Sequence, residues 1–105
     1  GFHLSGFSED IQYAEYPANA GYFGWHIDIG KDKSHRKLSL IVLLSDTEDY
    51  EGGELSLMTS AKVRTVPKKK GTLVFFPSYI LHQVSPVTTG LRKSLSLWVS
   101  GDPLK

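Results

Sequence analysis

Residues 92–100 read Arg-Lys-Ser-Leu-Ser-Leu-Trp-Val-Ser and alternate between two kinds of side chain. Side chains two positions apart share a face of a β-strand, so this stretch predicts a strand with two different faces. One face carries Arg92, Ser94, Ser96 and Trp98. The opposite face carries Leu95, Leu97 and Val99. We therefore expect a strand that buries its apolar side and presents polar chemistry on the other.

Similar short runs, separated by Gly, Pro, Asn, Asp and Ser, continue through the chain. The predicted strands are residues 11–16, 21–29, 36–45, 54–59, 62–66, 72–76, 82–87 and 92–100. No window keeps a helical apolar period beyond two turns. The pattern predicts an all-β protein of about eight strands, built as a sandwich, a barrel or a jelly roll.

The composition sets further limits on fold and function. A length of 105 residues predicts a single domain spanning residues 1–105. A net charge of +1 does not favour nucleic acid or a membrane surface as a partner. The absence of cysteine excludes disulfides and thiolate metal sites. The chain has no long apolar run and does not open on a signal peptide, so we expect a cytoplasmic protein.

The strand over residues 21–29 also alternates. One face carries Tyr22, Gly24, His26 and Asp28, and the opposite face carries Phe23, Trp25, Ile27 and Ile29. If this polar face and that of residues 92–100 look into the same barrel, they build an interior site.

The strand over residues 36–45 is apolar on both faces, which predicts that it is covered on both sides. We expect flanking helices or a second subunit on its outer face, the latter giving a homodimer through the outer sheet face.

Two histidines and one aspartate form the most informative set. His26 and Asp28 are spaced H-x-D, and His82 follows 54 residues after Asp28. Two imidazoles and one carboxylate are the ligands of the facial triad that leaves open positions on Fe(II). The spacing H-x-D alone also occurs by chance on strands, and His82 could instead be a strand-start histidine bonded to a backbone carbonyl.

Several linked blocks surround this set and carry a resemblance. They are YPANAGY at 16–22, HID at 26–28, EGGEL at 51–55, GTLVFFP at 71–77 and PVTTGLR at 86–92. Together they resemble the 2-oxoglutarate and Fe(II)-dependent oxygenases of the prolyl 4-hydroxylase-like branch, and in particular the bacterial PKHD-type hydroxylases. The resemblance implies a double-stranded β-helix, the cupin-like jelly roll, here without the N-terminal helices that usually flank it.

The resemblance also implies roles for individual residues. His26, Asp28 and His82 would bind Fe(II) as the catalytic triad. Arg92 would pair with the distal carboxylate of 2-oxoglutarate, as suits a planar guanidinium. Further expected contacts are Tyr16 and Ser96 to the co-substrate, and Tyr22, Trp98 and His35 at the substrate mouth.

The activity implied is that of a dioxygenase that hydroxylates an unactivated C–H bond. It would consume O2 and decarboxylate 2-oxoglutarate to succinate and CO2, with ascorbate as a candidate accessory cofactor. The substrate implied is a prolyl residue in a protein or peptide, or another small molecule.

Two other classes of function stay open. One is a cupin-like metal barrel with non-oxygenase chemistry, which the pairing of Arg92 with Tyr16 disfavours. The other is a non-catalytic jelly roll that stacks its tryptophans on a ligand.

Overall fold

The computed structural model describes residues 4–7, 11–19, 22–30 and 35–101, the first of these ranges by its backbone alone. The strands are β1 (Leu4–Phe7), β2 (Gln12–Pro17), β3 (Phe23–His26), β4 (Arg36–Leu43), β5 (Tyr50–Gly52), β6 (Leu55–Thr59), β7 (Lys62–Thr65), β8 (Leu73–Pro77), β9 (His82–Val84) and β10 (Val87–Gly101). A 3-10 turn, Thr47–Asp49, precedes β5. The prediction of an all-β chain is confirmed.

The strands form two antiparallel sheets. The larger sheet has the order β1-β10-β4-β8, and β2 and β5 also pair with β10. The smaller sheet has the order β3-β9-β6-β7. This arrangement is a jelly roll. Within the described residues, no helix has the length and hydropathy that a membrane crossing requires.

The long strand β10 organises the larger sheet. It pairs with β2 on one side and β4 on the other, so that Tyr16 lies opposite Arg92 and Ser39 lies opposite Trp98. Because directly opposed residues in an antiparallel pair point to the same face, these four side chains are directed to the interior together. The predicted inward orientation of Arg92 and Trp98 is confirmed by their exposed fractions of 1% and 7%.

The apolar strand β4 is covered on one side only by described residues. On the inner face Leu43 is 2% exposed. On the outer face Leu40 and Val42 lie opposite Phe75 and Leu73, which are 68% and 53% exposed. What covers this outer face, whether helices or a second subunit, stays a prediction.

The predicted alternation in β3 is wrong at its N-terminal end. The register of β3 against β9 shifts between Phe23 and His26, and the strand ends at His26. The irregularity brings the Phe23 ring onto the His26 ring, with centroids 3.9 Å apart. Trp25 and Ile27, placed on a buried apolar face by the alternation, are 39% and 46% exposed.

The pairing of β10 with β5 depends on glycine. Gly90 of β10 has a φ of 80°, and a Cβ atom there would clash with the carbonyl oxygen of Asp49. We expect Gly90→Ala to lower the free energy of unfolding by about 2–4 kcal/mol, measured by urea denaturation.

Gly71→Ala is the control for that substitution, because Gly71 has a φ of 85° and open space around its Cα. Its expected cost is about 1 kcal/mol, from backbone strain alone. Equal losses in the two variants would show that the close approach at Gly90 is unimportant.

Candidate active site

The two histidines of the candidate triad meet across a strand pair. His26 ends β3, His82 begins β9, and the two residues are directly opposed in the register. Their ring centroids lie 4.1 Å apart. Asp28 follows β3, where its backbone N–H donates to the carbonyl of Ser78 at 2.9 Å. One ligand atom from each of His26, Asp28 and His82 lies within 4.8 Å of the other two.

Backbone carbonyls orient both imidazoles. Nδ1 of His26 lies 2.7 Å from the Gly24 carbonyl, and Nδ1 of His82 lies 2.9 Å from the Ile80 carbonyl. A carbonyl only accepts, so each Nδ1 carries a proton and donates it. Nε2 of each ring therefore faces Asp28 Oδ1, at 3.6 Å from His26 and 3.3 Å from His82.

Two donors hold the other oxygen of the carboxylate. Ser39 Oγ donates to Asp28 Oδ2, and Trp98 Nε1 donates to the same oxygen at 3.0 Å. Burial acts to raise the pKa of Asp28, but hydrogen bonds with His82, Ser39 and Trp98 outweigh it and lower the pKa to about 2. The carboxylate is therefore ionised at neutral pH.

A cavity of about 610 Å³ opens beside this cluster. Its wall includes the three candidate ligands, and also Tyr16, Phe23, Arg36, Ile41, Ser96 and Trp98. The volume falls within the range of about 300–1,000 Å³ that is typical of small-molecule sites.

Arg92 is buried and does not border this cavity, but it contacts Tyr16, which does. Its Nε donates to the Gly53 carbonyl at 3.1 Å, and Nη1 donates to Ser94 Oγ at 3.3 Å. Gly53 permits the close approach, since a Cβ there would lie 3.1 Å from Arg92 Cδ. Nη2 is buried and has no hydrogen-bond partner among the described residues. A buried guanidinium nitrogen without an acceptor is costly, which is typical of a site built for an anion.

Two tyrosines flank the guanidinium. The centre of the Arg92 guanidinium lies 4.9 Å from the centroid of the Tyr16 ring. Burial raises the pKa of Tyr16 and of Tyr50, and the positive charge of Arg92 offsets part of the effect in both. For Tyr50, a side-chain hydrogen bond with Arg92 also lowers the pKa. Both phenols therefore keep their protons at neutral pH and are able to donate hydrogen bonds.

The structure brings together most of the residues predicted from sequence. Tyr16, Ser96 and Trp98 border the cavity with the triad, and Arg92 contacts Tyr16 from behind the cavity wall. Trp98, predicted at the mouth, is 7% exposed on the cavity wall, where its Nε1 donates to Asp28 Oδ2.

Two predicted mouth residues do not border the cavity. Tyr22 is 65% exposed and precedes β3, where the register shift puts Phe23 on the His26 face instead. His35 precedes β4, and its carbonyl accepts a hydrogen bond from Gly101 N–H at 2.9 Å. Because it follows Asp28, the segment 30–36 is also predicted from sequence to line the mouth. Gly30 and Arg36 border the cavity, and residues 31–34 lie outside the described residues.

Sequence reasoning missed three residues at the site. Ser39 was the polar exception on an apolar strand, which was an available signal. Arg36 borders the cavity and places its guanidinium 3.8 Å from the Trp98 ring centroid. Tyr50 lies 42 residues before Arg92 in the chain, and no local pattern links the two.

A double-stranded β-helix with two histidines and a carboxylate beside a cavity defines a class of metal-dependent barrel. The family model of the 2OG-Fe(II) oxygenase superfamily matches residues 11–100. The chain belongs to this superfamily, whose enzymes use Fe(II), 2-oxoglutarate and O2.

Curated relatives within the superfamily show a more specific similarity. The chain is 36% identical over 87 residues to a PKHD-type hydroxylase of Teredinibacter turnerae, covering 77% of this chain and 38% of the relative. It is 38% identical over 82 residues to a PKHD-type hydroxylase of Shewanella oneidensis, covering 73% and 37%. The chain thus spans less than half the length of these relatives.

Solved structures agree on the fold. A prolyl-4-hydroxylase of Pseudomonas putida superposes with a TM-score of 0.77 at 27% identity, covering 90% of this chain and 54% of that one. A cupin domain of Bordetella pertussis superposes with a TM-score of 0.57 at 16% identity, covering 95% and 94%. The second likeness concerns the fold alone.

Proposed function

We propose that this chain carries the catalytic barrel of a hydroxylase that uses Fe(II) and 2-oxoglutarate, with His26, Asp28 and His82 as metal ligands. The convergence of these three side chains beside a cavity carries the proposal. In each histidine ring Nδ1 carries a proton, so Nε2 can bind a metal ion that the Asp28 carboxylate also binds. When no metal is bound, Nε2 can instead carry a second proton and donate it to the carboxylate. Imidazole and carboxylate together suit Fe(II), so the donor set fits this metal.

The surroundings of Arg92 fit the co-substrate. We assign the distal carboxylate of 2-oxoglutarate to Nη2 of Arg92, which lacks an acceptor, and to the phenol of Tyr16. Tyr16 borders the cavity and its ring contacts the Arg92 guanidinium, so one carboxylate can be near both groups. Ser96, on the same wall, is a third proposed contact. The buried Nη2 of Arg92, with no acceptor among the described residues, argues against a cupin-like barrel with other chemistry.

Together, Fe(II), 2-oxoglutarate and O2 supply the oxidation, in which the co-substrate loses CO2 to become succinate and a substrate C–H becomes C–OH. The chain's own residues bind and orient the reactants. The histidine Nδ1 bonds keep the imidazole planes fixed, and the carbon-rich wall formed by Phe23, Ile41 and Val84 limits access of water.

We propose a prolyl residue in a peptide or protein as the substrate, on the strength of the likeness to a prolyl-4-hydroxylase at 27% identity. The test supplies Fe(II), 2-oxoglutarate, O2 and ascorbate, the proposed accessory reductant, together with proline-containing peptides. We expect succinate and a peptide that has gained one oxygen atom on proline, detected by mass spectrometry.

The matched control peptide carries alanine in place of proline and should stay unmodified. Equal oxidation of both peptides would contradict the prolyl assignment and leave the hydroxylase class intact. Succinate formation that is independent of any peptide would point to a different substrate.

A further inference from the structure

The Asp28 carboxylate sits at the end of a buried chain of hydroxyl groups. Ser39 Oγ donates to Asp28 Oδ2 and lies 2.9 Å from Ser78 Oγ. Ser39 and Ser78 are 1% and 0% exposed. The hydroxyl of Ser39 has one proton, which it donates to Asp28, so it accepts the proton of Ser78. We call these two residues the serine pair.

The serine pair is fixed by the backbone of both sheets. Ser39 lies on β4 directly opposite Trp98 of β10, the second donor to Asp28 Oδ2. The backbone N–H of Ser78 donates to the Lys37 carbonyl at 2.9 Å. The backbone carbonyl of Ser78 accepts from the Asp28 N–H, also at 2.9 Å. Strand pairing and backbone hydrogen bonds thus fix the positions of the donors, which is how supporting shells orient metal ligands.

The two oxygens of Asp28 therefore have different surroundings. Oδ1 faces Nε2 of both histidines, at 3.3 and 3.6 Å, whereas Oδ2 is saturated by Ser39 and Trp98. Carboxylates otherwise bind metals through one oxygen or through both. We propose that Ser39, supported by Ser78 and with Trp98, is a positioning residue that makes Asp28 bind the metal through Oδ1 alone. This inference rests on the proposed function.

The consequence concerns the open positions on the metal. A triad that uses one atom from each residue leaves three positions of an octahedral ion for reactants. A carboxylate that bound through both oxygens would take one of them. In this chain, the hydrogen bonds to Oδ2 keep that position available.

The test measures Mn(II) binding by electron paramagnetic resonance, which separates free from bound ion without turnover. We expect Ser39→Ala to weaken Mn(II) binding about 10- to 100-fold, as is usual for the loss of a group that supports a ligand. Ser39→Thr keeps the hydroxyl and should stay within about threefold of the parent protein. Trp98→Phe removes the second donor and should weaken binding in the same direction.

Ser45→Ala is the matched control. Ser45 is 4% exposed, and its hydroxyl bonds only the backbone of Leu91 and Lys93 among the described residues. It should bind Mn(II) like the parent protein. Equal affinities for Ser39→Ala, Trp98→Phe and Ser45→Ala, all folded by circular dichroism, would overturn the inference.

A second measurement reports the binding mode itself. Pulsed electron paramagnetic resonance in D2O counts the exchangeable water molecules on bound Mn(II). The Mn(II) bound to Ser39→Ala should carry one water fewer than in the parent protein, because Asp28 Oδ2 also binds the metal. An unchanged count would contradict the single-oxygen role of the serine pair. Failure of the parent protein to bind Mn(II) would instead contradict the proposed function.

Discussion

Replacing His82 with alanine is expected to abolish Fe(II)-dependent turnover of 2-oxoglutarate. His82 is 3% exposed, its Nδ1 is fixed by the Ile80 carbonyl, and its Nε2 lies 3.3 Å from Asp28 Oδ1. Loss of a supporting group costs metal sites about 10- to 100-fold, so loss of a ligand should lower affinity by more than about 100-fold. Succinate production and Fe(II) binding should fall together.

Gln83→Ala is the control for that loss. Gln83 is the next residue on β9, so its side chain points to the opposite face of the strand. It should keep Fe(II) binding and turnover within about twofold, as is typical of substitutions away from a site. Turnover retained in His82→Ala would contradict the assignment of the triad.

Arg92→Ala should raise the concentration of 2-oxoglutarate needed for half-maximal turnover by about 30-fold or more, because truncating one partner of a buried charge pair costs about 2–5 kcal/mol. Fe(II) affinity should stay unchanged, since the hydrogen bonds of Arg92 run to Gly53 and Ser94. The half-saturating 2-oxoglutarate concentration of Arg92→Lys should lie between those of the parent protein and Arg92→Ala. An ammonium group keeps the positive charge but lacks the planar, two-donor geometry of the guanidinium.

Lys93→Ala controls for the charge removed, because Lys93 points to the opposite face of β10. Its half-saturating 2-oxoglutarate concentration should match that of the parent protein. If Arg92→Ala were folded and required no more 2-oxoglutarate than Lys93→Ala, the carboxylate site at Nη2 would be wrong.

The sequence predicted the interior strand well where pairing is regular. Between Arg92 and Val99, β10 pairs with β2 and β4 without a register shift. Successive side chains therefore point to alternate faces of the sheet, as the sequence predicts. The inward positions of Arg92, Ser96 and Trp98 follow from that regularity.

Alternation failed in β3, and the reason is local. Among the described strands, β3 pairs with β9 alone, and its register shifts within four residues. A shift of one residue moves side chains to the other face. Phe23 therefore joins His26, and Tyr22 does not, although both histidines and Asp28 still meet as the motif indicated.

The contacts that support the site residues could not be predicted from local sequence patterns. Ser39 reaches Asp28 across 11 positions in the chain, and Trp98 reaches it across 70. The contact of Arg92 with Gly53 spans 39 positions. Motifs indicated which residues carry the chemistry, whereas only the folded chain shows which groups hold them in place.

If this barrel binds Fe(II) at its triad and 2-oxoglutarate beside it, the two ligands should give a joint optical signal. An anaerobic titration of the metal-free protein with Fe(II), followed by 2-oxoglutarate, is expected to produce a visible charge-transfer band. The band should need both additions and saturate with 2-oxoglutarate. A folded protein that binds Fe(II) and develops no such band would show that 2-oxoglutarate does not bind at the triad.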